Sequence, residues 1–173
     1  YVDRCFATGD FISASGVGIV GAGACTGNYA STIEVSDCYY LGSSSTQTNV
    51  GGIMGGYTGY TGGTPQDIII QRCYSTGNFS AGSAGGIVGV NARQNGSGVF
   101  EIKNCVCLSD EYVGSTQRGF IDTSTGNTKD SLSPLTDSDA STPDTWSSNG
   151  WTENGANYPH LSSFVNANNS YFN

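Results

Sequence analysis

Basic residues are scarce in this sequence. Six Lys and Arg stand against fourteen Asp and Glu, leaving a net charge of −8. So few cations cannot supply the clustered phosphate contacts that nucleic acid demands, which argues against that partner. Histidine is scarcer still: the single His160 sits in Tyr158-Pro159-His160-Leu161, a setting that reads as a structural closing turn. Ser is so abundant that a Ser–His–Asp grouping drawn through it carries no weight. No Cys-x-x-Cys pair occurs, so neither zinc nor any other cofactor is expected. No apolar run approaches the roughly 18 residues of a membrane span. A signal peptide is missing too. The chain opens at Tyr1-Val2-Asp3-Arg4-Cys5 on what is already repeat sequence, and the expectation is that it begins inside a longer precursor.

Apolar residues are also few, at 36%, which would suit a disordered chain were aromatics not 11% and Val and Ile so regularly placed. The 26 glycines point instead to a fold of short strands and many turns.

Those strands are laid out by an internal repeat. Val2-Asp3-Arg4-Cys5-Phe6-Ala7-Thr8-Gly9 returns as Val35-Ser36-Asp37-Cys38-Tyr39-Tyr40-Leu41-Gly42. It returns again as Ile70-Gln71-Arg72-Cys73-Tyr74-Ser75-Thr76-Gly77, and in decayed form as Ile102-Lys103-Asn104-Cys105-Val106-Cys107-Leu108-Ser109. The cysteines advance by 33, 35 and 32 residues. A glycine-bracketed pair follows each: Gly18-Ile19-Val20-Gly21, Gly52-Ile53-Met54-Gly55, Gly86-Ile87-Val88-Gly89, and the weaker Gly119-Phe120-Ile121.

An apolar residue stands three before each cysteine (Val2, Val35, Ile70, Ile102) and, where the chain reaches back, another five before (Ile33, Ile68, Phe100). β-Branched residues at period two mark a strand with one buried face. Glycines around each Ile-Val or Ile-Met pair permit tight bends. Units this small bury no core alone and must stack, with equivalent residues about 4.8 Å apart. The predicted fold is therefore all-β, a parallel β-solenoid (β-helix) of about four coils. Val2, Val35, Ile70 and Ile102 form one internal column, and Ile19, Ile53, Ile87 and Phe120 another. The residue before each cysteine reads Arg4, Asp37, Arg72, Asn104, and stacking on an outer face would set Asp37 between two arginines. As an exposed pairing this is worth about 0–1 kcal/mol per contact.

The cysteine block, the aromatic or apolar residue after it and the Gly-Gly-Ile-Val-Gly block together resemble the GLUG-motif repeats of bacterial surface adhesins and related secreted proteins. The closing segment, Thr145-Trp146-Ser147-Ser148-Asn149-Gly150-Trp151 through Leu161, is similar to the ending of such arrays. The resemblance covers nearly the whole chain, failing in the fourth unit after Cys107. It implies a non-catalytic β-solenoid on or outside the cell surface and identifies no ligand.

The repeats are placed at residues 1–122, as units of about 1–34, 35–69, 70–101 and 102–122. Residues 123–173 are read as an irregular linker or wrap, over 123–145, and an aromatic capping or assembly tail. Pro134 and Pro143 lie in the linker, and Leu132 and Leu135 are expected to dock on the last coil. Trp146, Trp151, Tyr158 and Leu161 supply bulk to cover the end of a stack. Phe164, Tyr171 and Phe172 lie in a stretch whose apolar residues suit neither helix nor core. One reading of that stretch is that it covers the open N-terminal edge of a neighbouring copy by strand addition, giving end-to-end self-association. The other is that a preceding cap belongs there.

Six cysteines in a chain of secreted character suggest at least one disulfide. Cys5, Cys38, Cys73 and Cys105 share a column, whereas Cys25 lies in a loop and Cys107 two residues past Cys105. The pairing is not readable, and a ladder of buried thiols is the alternative. Sequons at Asn78, Asn95 and Asn168 allow N-glycosylation where the host performs it. Asp110-Glu111 and Asp137-Ser138-Asp139 are the only tight acidic clusters. They read as solvated loop charge rather than as the paired carboxylates of a sugar-cleaving enzyme. Tyr57, Tyr60 and Thr46-Gln47-Thr48 read as loop composition. The sequence thus points to a structural or adhesive repeat module, extracellular or at the cell surface, plausible as a filament subunit and not an enzyme. The rival is a β-helix that binds or cleaves carbohydrate, with surface glycans as partners.

Overall fold

The computed structural model describes residues 1–10, 18–27, 29–42, 50–59, 65–75, 85–89, 92, 98–103 and 105–108, and beyond these the backbone of six short strands between residues 112 and 161. Every regular element among the described residues is a strand. In the first three repeats they come as pairs with one corner between them: β1 (Val2–Asp3) and β2 (Phe6–Ala7), β3 (Ser31–Ser36) and β4 (Tyr39–Tyr40), β5 (Gln66–Gln71) and β6 (Tyr74–Ser75). The fourth pair is β7 (Phe100–Lys103) and β8 (Val106–Leu108). Two-residue β9 (Tyr112–Val113) and β10 (Thr116–Gln117) follow, then β11 (Thr128–Asp130), β12 (Ser133–Leu135), β13 (Trp151–Asn154) and β14 (Asn157–Leu161).

The first strands of the pairs build one five-stranded sheet, β1-β3-β5-β7-β11, and the second strands build another, β12-β8-β6-β4-β2. Pairing along the column is parallel and in register by one repeat: Val2↔Val35, Val35↔Ile70 and Ile70↔Ile102, with Ile33↔Ile68 and Ile68↔Phe100 two residues earlier. A third line of contact runs through the glycine-bracketed pairs, where Val20, Met54 and Val88 form successive parallel bridges. Here Val20 N–H donates to the Ile53 carbonyl at 2.9 Å and Met54 N–H to that of Ile87 at 3.0 Å.

This register follows from the period-two pattern. Val35, Ile68, Ile70 and Ile102 are buried, as are Ile53, Met54, Ile87 and Val88, and all belong to one hydrophobic cluster with Tyr40, Phe100 and the three later column cysteines. A slip of one residue would turn the whole set outward, so the core itself fixes the pairing. The glycines have a separate task. A Cβ on Gly18 would strike the carbonyl of Gly52, and a Cβ on Gly52 that of Gly86. The backbones of successive repeats approach too closely there for any side chain.

Within residues 123–145, β11 pairs in parallel with β7 (Thr128↔Glu101, Lys129↔Ile102, Asp130↔Lys103) and β12 flanks β8. One expectation needs correction. The turn expected at Tyr158-Pro159-His160-Leu161 is instead strand β14, in an antiparallel pair with β13 that matches Trp151 to Leu161 and Thr152 to His160. The parallel pattern also breaks inside the fourth unit, where β9 and β10 pair antiparallel. The chain forms two compact units, Tyr1–Pro134 and Leu135–Asn173.

Ile70 is fully buried between Val35 and Ile102. Truncation to Ala should cost about 2–5 kcal/mol in urea unfolding, the range for deleting a large aliphatic core side chain. Gly52→Ala should be at least as damaging despite adding only a methyl group, since backbone atoms occupy the space it needs.

Candidate functional site

Each of the first three strand pairs turns its corner on one residue of left-handed backbone. Arg4, Asp37 and Arg72 all have φ of 52°. None is glycine, so each corner carries a strain of roughly 1–2 kcal/mol that its neighbours must offset. Hydrogen bonds between successive corners do so. Arg4 N–H donates to the Ser36 carbonyl and Asp37 N–H to the Gln71 carbonyl, both at 3.1 Å. Side chains add to this, for Arg72 grips Asp37 with both arms of its guanidinium: Nε donates to Oδ1 at 2.8 Å and Nη2 to Oδ2 at 2.6 Å. The pair is not the exposed contact expected from the sequence, since Asp37 is 5% exposed and its partner is three-quarters covered. The bond to Asp37 raises the Arg72 pKa, outweighing the opposing effect of burial.

The cysteine follows the corner and turns inward. Cys38, Cys73 and Cys105 are buried and Cys5 is exposed at the end of their column; these four and the exposed Cys25 are free thiols. The Cys38 Sγ–H donates to the Ser36 carbonyl at 3.0 Å, and the Cys5 backbone N–H points at Cys38 Sγ at 3.4 Å. Contact with the Cys73 thiol and then burial raise the Cys38 pKa, while for Cys73 burial comes first and Cys105 second. Stacking geometry favours thiols over bridges here. In-register neighbours about 4.8 Å apart with parallel Cα–Cβ bonds hold their Cβ atoms at a similar spacing, beyond the roughly 3.5–4.5 Å that a disulfide spans. Buried in the aliphatic cluster, Cys38, Cys73 and Cys105 act as small hydrophobic side chains.

After the cysteine, Phe6, Tyr39 and Tyr74 stack ring on ring, with centroids 5.3 and 5.1 Å apart and planes within 13° and 3° of parallel. The adjacent Tyr40 turns to the core and donates its hydroxyl proton to the Gly9 carbonyl at 2.6 Å. Burial, and after it the charge of Asp10, pushes the Tyr40 pKa up to about 12. Both faces of this strand pair are therefore committed to stacking.

β1 and β2 are the terminal strands of the two large sheets. Val2 is half-buried where its counterparts Val35, Ile70 and Ile102 are fully so, and the Arg4 side chain is 61% exposed, 3.7 Å from Asp3. The opposite ends of the same sheets differ in kind. In β11, Lys129 holds the register position of Val2, Val35, Ile70 and Ile102, and β12 contains Pro134, which has no N–H to donate. A charge in the apolar register and a proline are devices that blunt a sheet edge. Neither occurs in β1 or β2.

Other residues singled out in the sequence lie elsewhere. Asn78, Asn95, Asn168, Trp146, Phe164, Tyr171 and Phe172 fall outside the described residues, as do Asp110, Glu111, Asp137, Asp139 and Tyr60. Trp151 and Tyr158 are in β13 and β14, and Cys107 is in β8 opposite Ser75. Tyr57 is partly exposed on a left-handed turn residue. A shallow depression of about 170 Å³ is lined by Cys25, Thr26, Gly27, Tyr29, Ser31 and Gln66. Among the described residues no three His, Cys, Asp or Glu side chains gather as metal ligands would, and no helix is long and apolar enough to cross a membrane. No family model matches the chain, and neither a curated protein nor a solved structure matches it.

The column predicts an ordered thiol titration. Cys5 and Cys25 should react with an aromatic disulfide reagent in the native protein, and Cys38, Cys73 and Cys105 only at the rate of unfolding, as mass mapping of labelled peptides would show. Arg72→Ala should cost about 3 kcal/mol by leaving Asp37 buried without its main cation, the low end for a broken buried pair. Because the Tyr40 pKa is raised on folding, its contribution is intact below pH 10, where the unfolded chain's tyrosine is still neutral, and is lost as pH rises through about 12. Tyrosinate absorbance at 295 nm should therefore lag in the native protein and then rise together with loss of the strand signal in circular dichroism.

Proposed function

We propose that this chain is a non-catalytic structural and adhesive module of an extracellular or cell-surface assembly, its repeats stacked as coils of a parallel β-solenoid. One observation carries the reading: what recurs from repeat to repeat serves contact with a neighbouring repeat. The apolar column, the corner hydrogen bonds, the thiol column, the ring stack and the glycine close approach all run from one repeat to its neighbour. Repetition of this kind makes a stiff scaffold whose working surface is its end and its loops. The resemblance to GLUG-motif repeats of surface adhesins supports the same reading and rests on the motifs alone. Copies of the module associate end to end.

Electron microscopy of the undenatured native material tests this. The expected result is extended rods in which this chain is a stretch of regular repeat. Isolated compact particles that turn over a polysaccharide would overturn it.

A further inference from the structure

The turn after Met54 repeats the turn after Val20 on the same backbone, with one residue the fold does not require. Val20 bridges Met54, and the bonds that follow keep one register: Gly55 N–H donates to the Val20 carbonyl at 3.0 Å, Gly23 N–H to that of Gly56 at 3.0 Å and Gly59 N–H to that of Ala24 at 2.8 Å. Gly23 is thereby matched to Tyr57 and Cys25 to Gly59. The dihedrals agree, with φ of 71° and 57° at the first pair and 51° and 67° at the second. Glycine takes up such a backbone freely, and a bulky aromatic residue is an outlier there. The preceding repeat closes the same turn with no side chain at this position, so closing the turn does not explain the tyrosine. Backbone strain of this kind collects where a side chain meets a ligand. The platform beneath it is fixed. Thr58 is fully buried and donates its hydroxyl to the Gly55 carbonyl at 2.8 Å, with the Gly21 carbonyl at 3.3 Å. Tyr57 itself is 39% exposed, and it belongs to the second repeat, so this exposure owes nothing to either end of the stack.

Resting on the adhesive reading above, we infer that Tyr57 is a contact residue for a neutral polysaccharide, receiving one pyranose ring on its exposed face. A protein partner needs a desolvated patch of many residues around such an anchor. The chain offers Gly55, Gly56, Thr58 and Gly59 beside Tyr57, and Gly23 across the register, small residues that supply no such patch. A sugar ring matches a single aromatic ring in size. Its C–H face lies on the apolar body of the tyrosine while its hydroxyl groups stay hydrated, a use of the residue's amphipathic character. The net charge of −8 disfavours acidic sugars.

The test probes a printed array of neutral and acidic oligosaccharides with the labelled full chain, then titrates the brightest soluble neutral oligosaccharide by calorimetry. Binding to neutral spots is expected. Tyr57→Gly should weaken it about tenfold or more, as loss of an aromatic anchor does, and Tyr57→Phe should retain it. Tyr57→Gly should also melt at or above the temperature of the parent chain, because the preceding repeat already closes this turn on glycine. Binding lost without loss of stability separates a ligand contact from a structural role. No binding to neutral sugars, binding confined to acidic ones, or equal binding by Tyr57→Gly overturns the inference. So does a lower melting temperature for Tyr57→Gly, which would make the ring part of the fold. If rods form in the microscope while the neutral spots stay blank, the scaffold reading stands and only this ligand falls.

Discussion

The structure depends on one constraint, that each residue of a repeat lies beside its own equivalent in the next. Parallel in-register pairing imposes it, because the hydrogen bonds of each strand are made to a neighbouring repeat. A side chain that packs well on its own kind can then be used again in successive layers. Aliphatic residues form continuous columns, thiols line up beneath the corner, and aromatic rings lie flat on one another. A single repeat has none of these partners, so stability belongs to the stack and not to its parts.

The corner is where this constraint is most exacting. A left-handed residue redirects the chain from one sheet to the other within one position, letting the residues on either side keep their inward faces. Arginine gains nothing intrinsic from such a backbone, and aspartate only a little. Three consecutive corners share the same φ; the first two donate their N–H to the next repeat, and the charges of the second and third satisfy each other. Burial of Asp37 converts what would be a weak surface pair into one that cannot be broken on one side without exposing a desolvated carboxylate to nothing better.

Much of the layering was legible in the sequence. The cysteine spacing and the apolar residues three and five before it predict the register of β1, β3, β5 and β7, because period and burial are both written in residue type. What was not legible is whatever rests on backbone alone. β11 and β12 carry no cysteine and no glycine-bracketed pair, and Lys129 sits where the pattern demands an aliphatic residue, so their pairing left no signal of side-chain type. The corner geometry was hidden for a related reason: Arg, Asp and Arg do not announce a left-handed backbone as glycine would. Tyr39 and Tyr40 were hidden too. Alternation would put one of them in solvent, yet both are buried, one by the core and one within the ring stack. The pairing of Asp37 with Arg72 could be read from the order of the repeats, and its burial only once the corner was seen.

The direction of the interstrand hydrogen bonds makes the stack mechanically anisotropic. Tension applied along the strands, drawing one sheet edgewise past itself, would have to shear many bonds at once. Tension applied across the strands, from the first rung toward the last, loads the rungs in series, so the weakest gives way first and the rest need not follow.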